Sequence, residues 1–194
     1  MSTLTGDEPF HADGQPLPFT VADFWRWGVA NLAGNALRGL VAEFLVARAV
    51  QAPDATRVEW DAVDLRTPQG TAIEVKCSGY IQTWVQAALS RPSFDVAQKR
   101  SWHAATNTYS ATPTRPASIY VFALHHHQDR PTLDVRDLTQ GSFFVVATRR
   151  LNEAFPTTKR LALGTLQALA GPPLGYAQLA ERVRDLELQL LQDV

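Results

Sequence analysis

The chain of 194 residues carries 18 Lys and Arg against 19 Asp and Glu, a formal net charge of −1, with 45% hydrophobic and 19% charged residues. That balance is ordinary for a globular protein, excludes a histone-like polyelectrolyte, and suits one well-cored domain rather than two. Nucleic-acid binding stays open to it, because a local basic patch can act alone on a neutral surface.

Cys77 is the sole cysteine, so no intramolecular disulfide can form. The apolar stretch over residues 21–52 is broken by Asp23, Arg26, Arg38, Glu43 and Arg48, whereas a spanning helix needs about 20 mostly apolar residues. The first residues hold neither a basic cluster nor an apolar run of the kind a secretory signal has. The expectation is a cytoplasmic protein with no membrane partner.

In chain order, residues 1–19 are polar and rich in Gly and Pro, which predicts a flexible arm, followed by a single domain over 20–194. Thr20 is a suitable N-cap for a helix opening VADFWRWGVANL, with Asp23 in its first turn. Of the crowded Phe24, Trp25 and Trp27, two are expected in the core. A second helix follows Gly34, and its spacing puts Leu37, Leu40, Val41, Phe44 and Leu45 on the buried stripe. Glu43 lies beside that stripe among Ala36, Gly39 and Ala47, a face that can approach another element closely.

Residues 57–78 read as a β-hairpin: an extended arm over 58–65, a turn at 67–70, and a second arm over 73–77. In the second arm Ile73, Val75 and Cys77 alternate with Glu74 and Lys76, separating an apolar from a charged face. Residues 80–89 could be extended or helical, and 104–117 read as a loop. The runs SIYVFALH and SFFVVAT predict two buried strands, Lys159–Leu163 an edge strand or part of a helix, and residues 176–191 an amphipathic helix with Leu179, Val183, Leu186 and Leu190 inward. Helices, a hairpin, isolated strands and terminal helices amount to a mixed α/β domain with a central sheet flanked by helices.

An even-length hairpin turn sets Lys76 opposite Asp61, so that Asp61, Glu74 and Lys76 converge; a three-residue turn ending in Gly70 reverses the parity and presents Asp64 instead. Two carboxylates suit Mg²⁺ (or Mn²⁺), a hard ion that keeps several waters, and a neighbouring ammonium can orient the attacking water. Asp, Glu and Lys together fit hydrolysis of a phosphodiester.

With Glu43 in GLVAEFLV, Asp61 in VEWDAV and Glu74-Val75-Lys76 in AIEVKCS, the chain resembles the PD-(D/E)XK nuclease superfamily, which includes restriction endonucleases and Holliday-junction resolvases. The resemblance covers roughly residues 35–125 and departs from the motif at Trp60, where the family often has proline. It implies a restriction-endonuclease-like fold and a metal-dependent deoxyribonuclease of DNA repair or defence. It further implies Asp61 over Asp64 as the ligand beside Glu74, Lys76 as the water-orienting base, Glu43 as an outer ligand or base, and Ser78 and Gln82 as supporting residues. The alternative is a module with the same fold that binds DNA without cutting it.

Arg91, Lys99 and Arg100 form one local basic cluster and are the candidate DNA contacts; Arg149, Arg150, Lys159 and Arg160 form another. The consecutive His125, His126 and His127 point to alternating sides of a strand end and cannot chelate one ion together. Cys77, on the face opposite Lys76, reads as an inert buried thiol. The extra leucines of the last helix allow it to pair with its copy in a homodimer.

Overall fold

The computed structural model describes residues 3–53, 61–100, 102–103 and 108–192. The N-terminal segment expected as a flexible arm is a hairpin, β1 (Pro9–Ala12) with β2 (Gln15–Thr20). Its two-residue turn, Asp13-Gly14, has both φ angles positive, at 50° and 76°, the mirror-image geometry that matches the twist of a tight hairpin. Helix α1 (Val21–Val29) starts where Thr20 predicts: the Asp23 carboxylate accepts from Thr20 N at 2.8 Å and from Thr20 Oγ1 at 3.1 Å. None of its residues is buried. Phe24, Trp25 and Trp27, of which two were expected in the core, all lie at the surface.

Helix α2 (Asn35–Ala49) leads to β3 (Leu65–Arg66) and β4 (Ala72–Gly79), and then to a long crossover that holds β5 (Ser93–Asp95), β6 (Trp102–His103) and β7 (Thr108–Tyr109). Strand β8 (Ile119–His125) follows, then β9 (Gly141–Ala147), α3 (Thr148–Ala154), β10 (Arg160–Ala162), α4 (Leu163–Ala170) and α5 (Tyr176–Gln192). The central mixed sheet runs β3-β4-β8-β9, with β4 parallel to β8 and the other pairs antiparallel. Parallel neighbours cannot be joined by a tight turn, and this explains why the crossover between β4 and β8 must traverse one face of the sheet. Residues 80–89, open to either reading in the sequence, take no helix or strand.

Helices cover both faces, and the continuous apolar runs of β8 and β9 follow from that double burial. On one face Ile73, Val75, Val121 and Val145 meet Ala42 and Val46 of α2 and Leu179, Val183 and Leu186 of α5. On the other, Tyr120, Phe122 and Phe144 meet Phe94, Val96, Leu151, Leu161 and Leu166. Each fully buried side chain of this size is worth about 1.5–3 kcal/mol relative to exposure, so the two clusters fix the order of the layers. The buried stripe of α2 is displaced from the expected one: Leu40 and Phe44 are exposed, at 39% and 57%, while Ala42 and Val46 are buried. Small side chains at the contact let the helix approach β4 and α5 closely, which a stripe of leucines would prevent.

The β10 edge strand, pairing with β5, and the inward face of α5 agree with the sequence reading. Leu188 and Leu191 remain exposed on α5. No helix among the described residues is long and apolar enough to cross a membrane.

Candidate active-site cleft

The turn between β3 and β4 decides which acid faces the charged side of the hairpin. Leu65 pairs with Ile73 and Arg66 with Ala72. Thr67 N donates to Thr71 O at 3.0 Å and Gly70 N to Thr67 O at 2.9 Å, leaving Pro68-Gln69-Gly70 as a three-residue loop. Gly70 takes φ of 89°, the left-handed position that such a loop assigns to glycine. The turn is therefore odd, not even. Continuing the register by one step sets Asp64, rather than Val63, across from Glu74, and Asp61 loses the place opposite Lys76.

Asp64 Oδ2 accepts from Val75 N at 2.7 Å, which orients its carboxylate at the end of the short ladder. Glu74 is buried, at 8% exposure, and its Oε1 accepts from Lys76 Nζ at 2.5 Å. Lys99 Nζ stands 4.0 Å from the same oxygen. Asp61 is exposed, and its Oδ1 accepts from the neighbouring Ala62 N at 2.6 Å. All of these side chains line one cleft of about 260 Å³, which Arg100 and the aromatic Trp102, Tyr109 and Tyr120 also border. Two hydrogen bonds of 2.9 Å between the backbones of Lys99 and Thr114 hold the crossover over the acids.

Burial raises the Glu74 carboxyl above its usual 4.5; Lys76 opposes that rise, and the Asp64 charge adds to it. Ionised Glu74 thus works against folding in the protein alone, increasingly so as pH climbs from 4.5 through the raised value. Tyr120, the register partner of Glu74 on β8, is raised by desolvation first and by the Glu74 charge second.

The other expected site residues lie elsewhere. Glu43 is half-buried on α2, which covers the sheet face opposite Glu74 and Lys76, and it does not border the cleft. Ser78 Oγ accepts from Ser93 N at 3.2 Å, and Gln82 Nε2 donates to Gly79 O and Ser90 Oγ, both at 3.2 Å. These two pin the start of the crossover and do not border the cleft. Arg91 is exposed and outside it as well. Of the extended arm expected over residues 58–65, residues 58–60 lie outside the described residues, 61–64 form no strand, and only Leu65, at the start of β3, is paired.

Cys77 fits the reading of it as inert, and the histidine rings do not converge. Burial pushes the Cys77 thiol up to about 11. In the histidine run, His126 Nδ1 lies 3.3 Å from Ser142 Oγ and His127 Nε2 lies 2.8 Å from Thr132 Oγ1, separate partners for neighbouring rings.

Sequence reasoning missed the aromatic border. Tyr120 could have been found by parity, once β8 is known to lie beside β4. Trp102 and Tyr109 sit in a polar stretch without periodicity, and no local signal marks them.

Among the described residues, no group of three or more His, Cys, Asp or Glu side chains is gathered to hold a metal ion. A Mg²⁺ site asks for less, one or two carboxylates with waters and substrate oxygens completing the shell. Asp64 and Glu74 meet that requirement, and a cation beside them would relieve the cost of ionising Glu74. Saturating Mn²⁺ at pH 8 should therefore raise the melting temperature by roughly 5–10 °C, the response of a domain this size to ligand at about 100 times Kd. The gain should fade as pH falls through the raised Glu74 value, because a protonated carboxyl is a poor ligand. Scanning calorimetry of wild type and Glu74→Gln checks this, and an equal gain in the variant would remove Glu74 from the ligand set.

No protein-family model matches the chain, and no curated protein matches it either.

Proposed function

We propose that the chain is a divalent-metal-dependent deoxyribonuclease of the PD-(D/E)XK type. The observation that carries this reading is the gathering of Asp64, Glu74 and Lys76 in one cleft, with the Asp64 carboxylate anchored to Val75 N of the Glu74 strand and cationic Lys99 and Arg100 bordering the same cleft. Asp64 and Glu74 would hold Mg²⁺ or Mn²⁺. When bound, such an ion polarises a phosphoryl oxygen and lowers the pKa of water. Lys76, already within hydrogen-bond reach of Glu74, would orient the attacking water and offset the negative charge that develops on the phosphate. Lys99 and Arg100 would hold flanking phosphates, the contacts that position a nucleic acid without reading its sequence. The buried Tyr120 ring walls the cleft beside Glu74 and keeps the local dielectric low, which strengthens each of these charge interactions.

Incubating the protein with DNA in Mg²⁺, in Mn²⁺ and in EDTA tests the reading. Cleavage is expected with either ion and not with the chelator, and Lys76→Ala should lower the rate by about 10²-fold or more while leaving the fold intact. Cleavage that survives this substitution would assign it to another site.

One observation favours a second reading, a module with this fold that binds DNA without cutting it: Glu43, the third acid of the motif, is on the far face of the sheet. That module would retain DNA in a salt-dependent way, show no turnover with any divalent ion, and be indifferent to Lys76→Ala.

A further inference from the structure

We infer that the cleft accepts a single DNA strand, with one base laid on the ring of Tyr109 while the adjoining phosphates meet Lys99 and Arg100. The inference rests on the nuclease reading of this cleft and adds its substrate class.

Trp102 and Tyr109 are register partners on the β6–β7 ribbon, with ring centroids 5.0 Å apart and planes at 60°. A cross-strand aromatic pair helps to hold a two-residue ribbon together, at about 0.2–1 kcal/mol. That role needs only the faces that the rings turn toward each other. Tyr109 nevertheless keeps 60% of its surface exposed, and it lines a cleft that also contains Lys76, Lys99 and Arg100. An exposed aromatic ring beside Lys99 and Arg100 is a combination that binds unpaired nucleotides: the cations track the phosphates and the ring stacks on a base whatever its identity. Lys76 is taken up by Glu74, and the carboxylates of Asp61, Asp64 and Glu74 keep phosphates to the side of Lys99 and Arg100.

Duplex DNA cannot use that ring. Its interior bases are stacked on one another and offer only their edges in the grooves, so an aromatic face can engage one of them only after it has left the stack. The cleft, at about 260 Å³, lies below the usual range for drug-sized ligands. It has room for about one nucleotide within it. A single strand, an overhang or a frayed end supplies the unpaired base at no unstacking cost.

Fluorescence anisotropy of the full chain in EDTA, with a labelled oligodeoxynucleotide and with its blunt duplex, tests the inference apart from cleavage. The single strand should bind at least about tenfold more tightly than the duplex. Tyr109→Ala should weaken single-strand binding by about tenfold, within the range for loss of one stacked base, and leave duplex binding unchanged. Tyr109→Phe should bind as wild type does. If Tyr109→Ala does not fold by circular dichroism, Tyr109→Leu, which keeps apolar bulk without a π-face, takes its place with the same expected loss. Equal affinity for the two DNA forms, or a single-strand affinity indifferent to loss of the ring, overturns the inference; Mg²⁺-dependent cleavage of duplex in that case leaves the nuclease reading standing. Absence of both binding and cleavage for every DNA form overturns the two together.

Discussion

Asp64→Asn is expected to lower metal-dependent DNA cleavage by about 10²–10³-fold, the scale of removing one preorganised electrostatic group from a reacting centre, whereas Asp61→Asn should change it by less than about tenfold. Asparagine keeps the shape of aspartate and an oxygen able to accept from Val75 N, so the hydrogen bond of 2.7 Å can persist. What is lost is the charge that faces Glu74. Asp64 raises the Glu74 carboxyl, so the two charges sense each other closely. Asp61 is exposed and turned to its own backbone neighbour, an arrangement in which solvent screens it. Initial rates in Mg²⁺, with Mn²⁺ calorimetry on the same variants, separate the two acids. Loss of both metal binding and cleavage in Asp61→Asn, with Asp64→Asn near wild type, would reverse the assignment.

The sequence made the second arm of the hairpin legible because it alternates strictly, and Ile73, Glu74, Val75 and Lys76 take the faces that alternation requires. It left the partner acid open because side-chain parity depends on one residue of turn length. The register is settled by Gly70 adopting a left-handed φ, a conformation that Pro-Gln-Gly permits but does not dictate. Buried strands β8 and β9 were equally legible, since seven-residue apolar runs have few alternatives.

Residues whose setting depends on tertiary packing were not legible. The faces of α2 are an example: helical spacing marks several overlapping stripes, and the one buried is chosen by how near β4 and α5 allow the helix to come. Leucine and phenylalanine look more hydrophobic than alanine, yet Ala42 is buried and Phe44 exposed. The same rule removed Glu43 from the cleft, because a helix over one face of a sheet cannot readily present a side chain to groups on the other. The chain orders these residues along its length as the resemblance requires, and order alone does not bring them together.

Arg115 was the least visible of all, one basic residue in a stretch of Thr, Pro and Ala that reads as an exposed loop, and its replacement by alanine should destabilise the protein by about 3–5 kcal/mol. It is buried at 6% exposure. Nε donates to Val96 O at 2.7 Å, Nη1 to Asn152 Oδ1 at 2.7 Å, and Nη2 to Phe155 O at 2.9 Å and Thr158 O at 3.2 Å. One planar guanidinium thereby ties the end of the crossover to the chain after β5, to α3 and to the approach to β10. Alanine would strand the Val96 carbonyl away from water, at about 1–3 kcal/mol, and remove three part-buried bonds that water replaces in part, at about 0.5–1.5 kcal/mol each. Against a total stability of about 5–15 kcal/mol, that loss brings the domain close to unfolding at ambient temperature. Arg115→Lys should recover less than half of it, because an ammonium is a point donor and cannot span the fork. Urea unfolding should show a lower midpoint with an unchanged slope in both variants. Thr114 and Pro116, on either side of Arg115, border the cleft, so cleavage should fall in step with the folded fraction and recover on cooling. An unfolding free energy within about 0.5 kcal/mol of wild type for Arg115→Ala, in the range of ordinary surface substitutions, would show that water fills the place of the guanidinium and that the crossover is held by its apolar contacts instead.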